Sequence, residues 1–85
     1  MARNTPLPMG TVRSGTDKGL RLTDGWIKKG EYYILPPTKD GKTAGKTGCV
    51  TDIQMVWNPN DSMSFWVRLE EDTGQGWKFE FKEVA

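Results

Sequence analysis

Eighty-five residues with four Trp, three Phe and two Tyr describe one small folded domain whose thin core leans on large aromatics. The net charge is +1, there is no His, and Cys49 is the only cysteine. These counts exclude an internal disulfide and remove both the commonest general base and the usual transition-metal ligand sets.

The chain opens Met1-Ala2-Arg3-Asn4-Thr5-Pro6, without the apolar stretch of a secretory leader. No run approaches the ~20 apolar residues of a membrane span. With a single Cys, the expectation is a soluble cytoplasmic protein with no membrane partner. Residues 1–19 are rich in Pro, Gly, Thr and Ser. They read as a flexible N-terminal arm, loose over 1–8, with an edge strand expected over 9–13.

From Leu20 onward, turn chemistry recurs at short intervals: Asp24-Gly25, Gly30, Pro36-Pro37, Gly41, Gly45, Gly48, Asn58-Pro59-Asn60-Asp61 and Gly74-Gln75-Gly76. The runs between are short and rich in β-branched and aromatic residues, the pattern of an all-β sandwich or barrel. Residues 31–35 form a short apolar strand closed by Pro36-Pro37. The next strand, 48–57, has Val50 and Ile53 out of phase, which predicts a bulge between them. In 63–70, Phe65, Val67 and Leu69 face one way and Trp66, Arg68 and Glu70 the other. In 77–84, Trp77, Phe79 and Phe81 alternate with Lys78, Glu80 and Lys82. Residues 48–84 therefore read as a three-stranded antiparallel meander. No segment carries a helical apolar period. A small SH3-like barrel of about five antiparallel strands over residues 20–85 hides the edges most economically.

Two stretches carry a family resemblance: Gly30-Glu31-Tyr32-Tyr33-Ile34-Leu35, and Gly45-Lys46-Thr47-Gly48-Cys49-Val50-Thr51-Asp52-Ile53. Together they resemble the KOW-type motif of SH3-like barrels, with the strands around Phe65 and Trp77 matching the later strands. The resemblance covers about residues 25–84. It implies a barrel that binds RNA, DNA or protein through its loops. Gly48 is expected to permit a close backbone approach that a Cβ would hinder.

Charge is uneven along the chain. Residues 1–48 hold nine Lys/Arg and four Asp/Glu, while residues 49–85 hold three and seven. In a barrel the two halves interleave, so the asymmetry is expected largely to cancel. Gly41-Lys42-Thr43-Ala44-Gly45-Lys46-Thr47 imitates a phosphate loop, but Asp40 stands where its first Gly should, and a strand follows rather than a helix. Lys39, Lys42 and Lys46 on that loop, with Lys28 and Lys29 nearby in sequence, suit nucleic-acid phosphates. Tyr32 or Trp66 is available for base stacking. Trp66 points away from the core-facing Phe65 and Val67. It marks a protein interface together with Tyr32 and Arg68.

Catalysis has little support. Cys49 has no His partner and reads as a buried structural thiol. Glu70, Glu71 and Asp72 lead into a turn and read as solvated. No cofactor or metal is expected. The sequence thus points to a non-catalytic binding module. The first reading is a protein-interaction or scaffold barrel, a small subunit or a phage-encoded effector of a host complex. The alternative is a nucleic-acid-binding barrel using the basic loop 38–48.

Overall fold

A computed structural model describes residues 5–83. Among these there is no helix, and none therefore that is long and apolar enough to cross a membrane. Seven strands form two antiparallel sheets: β1 (Val12–Thr16), β2 (Gly19–Leu22) and β3 (Gly25–Lys28) in one, and β4 (Tyr32–Ile34), β5 (Thr47–Trp57), β6 (Met63–Glu70) and β7 (Gly76–Lys82) in the other.

The meander β5–β6–β7 follows the expected pattern. Alternation puts Phe65, Val67, Leu69 and Phe81 inside, with Trp77 and Phe79 packed against them. The β5–β6 register shifts between Val50 and Asp52. This bulge lets Val50 and Ile53, three positions apart, both reach the core at 1% and 3% exposure. Gly48 lies where a Cβ would come within 3.0 Å of the Leu69 Cβ, so the close approach expected there is real. Both turns close through backbone hydrogen bonds, Asn58 N–H to Ser62 O at 2.8 Å and Glu71 N–H to Gln75 O at 2.9 Å.

The all-β antiparallel class is as expected, but a closed barrel is not seen and the strands outnumber the five expected. Seven strands are divided between two sheets, and neither sheet closes on itself. Among the described residues, one parallel bridge, between Val12 and Glu83, joins the sheets. On the other side, β3 and β4 do not pair. The Tyr33 hydroxyl spans that gap instead. It accepts from Lys28 N–H at 2.9 Å and donates to Trp26 O at 3.3 Å.

The N-terminal region also departs from expectation. Residues 1–4 lie outside the described part, but residues 5–7 are no loose arm. Ile34 N–H donates to Thr5 O and Leu7 N–H to Ile34 O, both at 2.9 Å, and Leu7 is buried. The edge strand expected over 9–13 is displaced to Val12–Thr16 and pairs with β2.

The core lies between the two sheets. Val12, Leu20, Leu22 and Ile27 come from the small sheet. Tyr33, Val50, Ile53, Phe65, Val67, Leu69 and Phe81 come from the large one, and Leu7 and Leu35 from flanking segments. The sheets approach closely at Gly15, where a Cβ would lie 2.6 Å from Leu20 Cδ2 and 2.7 Å from Phe65 Cε2. A bare backbone there lets β1 lie down on the Phe65 ring.

Candidate nucleic-acid interface

Strand pairing fixes what the small sheet shows to solvent. Leu20, Leu22 and Ile27 turn inward, so the alternate positions turn outward. In the ladder, Ser14 lies beside Arg21, Arg21 beside Trp26, Thr16 beside Gly19, and Gly19 beside Lys28. Gly19 contributes no side chain, and the outer face sinks there into a groove of about 480 Å³. Ser14, Thr16, Lys18, Trp26, Lys28 and Lys29 line it together with the backbone of Gly15 and Gly19, and among the described residues no carboxylate does.

Trp26 forms one wall and is 52% exposed. The Arg21 guanidinium carbon lies 6.0 Å from its ring centroid, at the outer reach of a cation–π contact. The other side of Trp26 borders a second groove, of about 470 Å³, lined by Thr5, Pro6, Leu7, Pro8, Met9, Asp24 and Gly25. The indole thus stands between a groove lined by three lysines and one lined by prolines, Met9 and Asp24.

Charge follows the same division. Residues 12–29, which hold the whole small sheet, carry five Lys/Arg and two Asp/Glu; the rest of the chain carries seven and nine. The expectation that the asymmetry cancels therefore fails. The N-terminal residues make a sheet of their own rather than interleaving with the C-terminal strands.

Of the five lysines picked out from the sequence, the structure brings only Lys28 and Lys29 to this groove. Lys39, Lys42 and Lys46 stay on the 36–46 loop, which is locked on itself. Thr43 is fully buried at its centre, donating to Pro36 O at 2.6 Å and accepting from Thr38 N–H at 2.9 Å. Asp40 accepts from the Thr38 hydroxyl and from Lys42 N–H, and these bonds hold its carboxyl below the usual range. Lys42 pairs with Asp40 at 4.0 Å, and Lys46 with Glu71 at 3.3 Å. Only Lys39 of the three has no ion pair among the described residues.

Tyr32, Trp66 and Arg68 share the outer face of the large sheet. That face is a mosaic that satisfies itself. Trp66 is half-buried between its ladder neighbours Gln54 and Glu80. Arg68 pairs with Glu70 at 3.6 Å and lies between Asp52 and Lys78 in the ladder. The Tyr32 hydroxyl donates to Asp72 at 3.4 Å, and that carboxylate raises the phenol above its ordinary pKa. Each of the three adjacent acids has its own partner: Glu70 has Arg68, Glu71 has Lys46 and the Thr73 hydroxyl, and Asp72 has Tyr32. Cys49 is half-buried on this outer face rather than sealed in the core, and partial burial pushes its thiol up.

The sequence reading missed Trp26 and Lys18. Trp26 follows Gly25 in a strand of four residues, too short for a period of two to declare its face. Its face is set by the two-residue turn Thr23-Asp24, which pairs Leu22 with Gly25 and so sets Trp26 opposite Arg21. No protein-family model, curated protein or solved structure matches the chain.

Proposed function

We propose that this protein is a non-catalytic binding module that takes single-stranded nucleic acid on the outer face of the three-stranded sheet. The observation that carries the reading is the half-exposed Trp26, set in a groove with Lys18, Lys28 and Lys29 and, among the described residues, no carboxylate. An indole offers a stacking platform that any unpaired base accepts. Ammonium groups beside it neutralise the phosphates on either side of that base. A duplex keeps its base faces stacked, so an exposed indole favours the single strand. The chain has no His to act as a general base, and the Cys49 thiol is held toward its protonated form.

A KOW-type, SH3-like barrel is the fold that goes with this proposal. The close approach at Gly48 and the bulge that turns both Val50 and Ile53 inward support it.

A protein partner is the second reading, as a small subunit or phage-encoded effector. Tyr32, Trp66 and Arg68 on one face around a half-covered indole favour it. There, Trp66→Ala weakens capture of the partner and leaves thermal unfolding little changed.

The first reading is tested by titrating the chain with short single-stranded DNA while following tryptophan fluorescence. Stacking on Trp26 quenches the emission, and Trp26→Ala removes both the quench and most of the affinity. Binding that survives Trp26→Ala undiminished contradicts the proposal.

A further inference from the structure

The sheet edges are guarded unequally. The edge of β3 is capped by the Tyr33 hydroxyl, and that of β4 by residues 5–7. β7 presents Lys78, Glu80 and Lys82 in alternation, the kind of charge that deters strand addition. β5 has no such protection. On its β4 side the last backbone bonds are those of Val50 with Gly30 and Glu31, at 2.9 and 3.0 Å. Beyond Val50, no strand flanks that side among the described residues.

The unguarded stretch is Ile53-Gln54-Met55-Val56-Trp57, without a charge. Met55 is 49% exposed, Val56 43% and Trp57 69%, so apolar side chains stand free on both faces of one bare edge. The hairpin bond from Asn58 N–H to Ser62 O fixes the phase of the ladder. By alternation, the N–H and C=O groups of Trp57, Met55 and Ile53 then point away from β6, those of Met55 and Trp57 on exposed residues and those of Ile53 on a residue 3% exposed.

We propose that two copies of this chain pair through that edge, β5 antiparallel to β5, about a two-fold axis at Met55. Outward-pointing residues must oppose outward-pointing residues. With the axis at Met55, Met55 faces its own counterpart and Ile53 faces the counterpart of Trp57, so all three residues bond. With the axis at Trp57, Met55 would oppose Pro59, which has no N–H. With the axis at Ile53, Trp57 would oppose Cys49, whose side of the strand β4 already occupies.

The Met55 register is also free of charge conflict. Asp52 falls opposite the counterpart of Asn58, and Gln54 opposite that of Val56. Pairing joins the two four-stranded sheets into one of eight and covers Met55 and Trp57. The symmetry is isologous, as a closed dimer requires. The basic outer face of the small sheet takes no part in this edge, so the inference stands apart from nucleic-acid binding.

Sedimentation velocity across rising concentration tests it. The expected result is a mass that doubles, and that stays at one chain for Met55→Lys with unchanged circular dichroism. Val56→Lys, on the opposite face of the strand, carries the same test should Met55→Lys not fold. The register has its own readout. With Cys49→Ser as background, Gln54→Cys with Val56→Cys places thiols at a non-hydrogen-bonded pair, where Cα atoms lie about 4.5 Å apart, close enough for a disulfide. Mild oxidation should then yield a covalent dimer. A wild-type chain that stays monomeric at every concentration overturns the proposal, whatever else docks on that edge. So does a dimer indifferent to both lysine substitutions.

Discussion

The two sheets share one core but present opposite surfaces. The outer face of the large sheet sets acids and bases side by side, Asp52 by Arg68 by Lys78, and half-buries its tryptophan among them. The outer face of the small sheet sets Lys18, Lys28 and Lys29 around an exposed tryptophan with, among the described residues, no acid in the groove. Both faces carry lysine and indole, so residue type alone does not separate them. What separates them is whether the neighbouring position across the ladder supplies a counter-charge. The first face is neutralised within the molecule, whereas the second leaves its charge available to a ligand.

The largest effects test whether the sheets are one body. Leu20→Ala in the small sheet and Leu69→Ala in the large one remove side chains with no exposure. Each is expected to cost about 2–5 kcal/mol. Thermal unfolding should remain a single transition in both variants. A separate early transition for Leu20→Ala would mean that the small sheet is a flap with its own stability.

Next come the contacts that join the sheets. Gly15→Val drives methyl groups into Leu20 and Phe65 and should destabilise by about 1–3 kcal/mol. Tyr33→Phe leaves the Lys28 N–H without its acceptor, again at about 1–3 kcal/mol. Amide exchange at Lys28 should quicken in that variant more than exchange in β6.

The functional contrast is sharpened by paired substitutions. Trp26→Ala should lower single-strand affinity by about 1–3 kcal/mol, the usual worth of one stacked base. Trp66→Ala should leave that affinity unchanged. Lys28→Ala and Lys29→Ala should each reduce the slope of log affinity against log salt by about 0.7. Lys42→Ala, whose ammonium already sits by Asp40, should not.

The smallest effect is on pH. Asp40 and Glu71 both have lowered pKa values, Asp40 chiefly through the Thr38 hydroxyl and Glu71 chiefly through that of Thr73. A carboxyl lowered by folding stabilises above its unfolded pKa, and that stability fades as pH falls through the folded value. Thermal midpoints should therefore drop as pH falls below about 4, and less so in Asp40→Asn.

Residues 48–82 were legible in the sequence because long strands with one buried face repeat their period often enough to be read. The Val50–Ile53 phase break announced its bulge, and Phe65, Val67 and Leu69 declared their face. The N-terminal sheet was not legible in the same way. β2 and β3 have four residues each, and β1 has one buried side chain, Val12. Leu7 gave no sign of its burial because two prolines flank it and its contacts are with distant β4. The basic loop attracted attention through its lysines beside glycines. Nothing local showed that Thr43 locks it inward or that Glu71, far along the chain, holds Lys46.

Nucleic-acid binding is proposed for the outer face of the small sheet. Titrating the isotopically labelled chain with a short single-stranded oligonucleotide, at low and at moderate salt, tests it most directly. Amide shifts centred on residues 14–29 that weaken as salt rises are expected. Shifts centred on residues 38–48 or on the Trp66 face, or none at low salt, would contradict it.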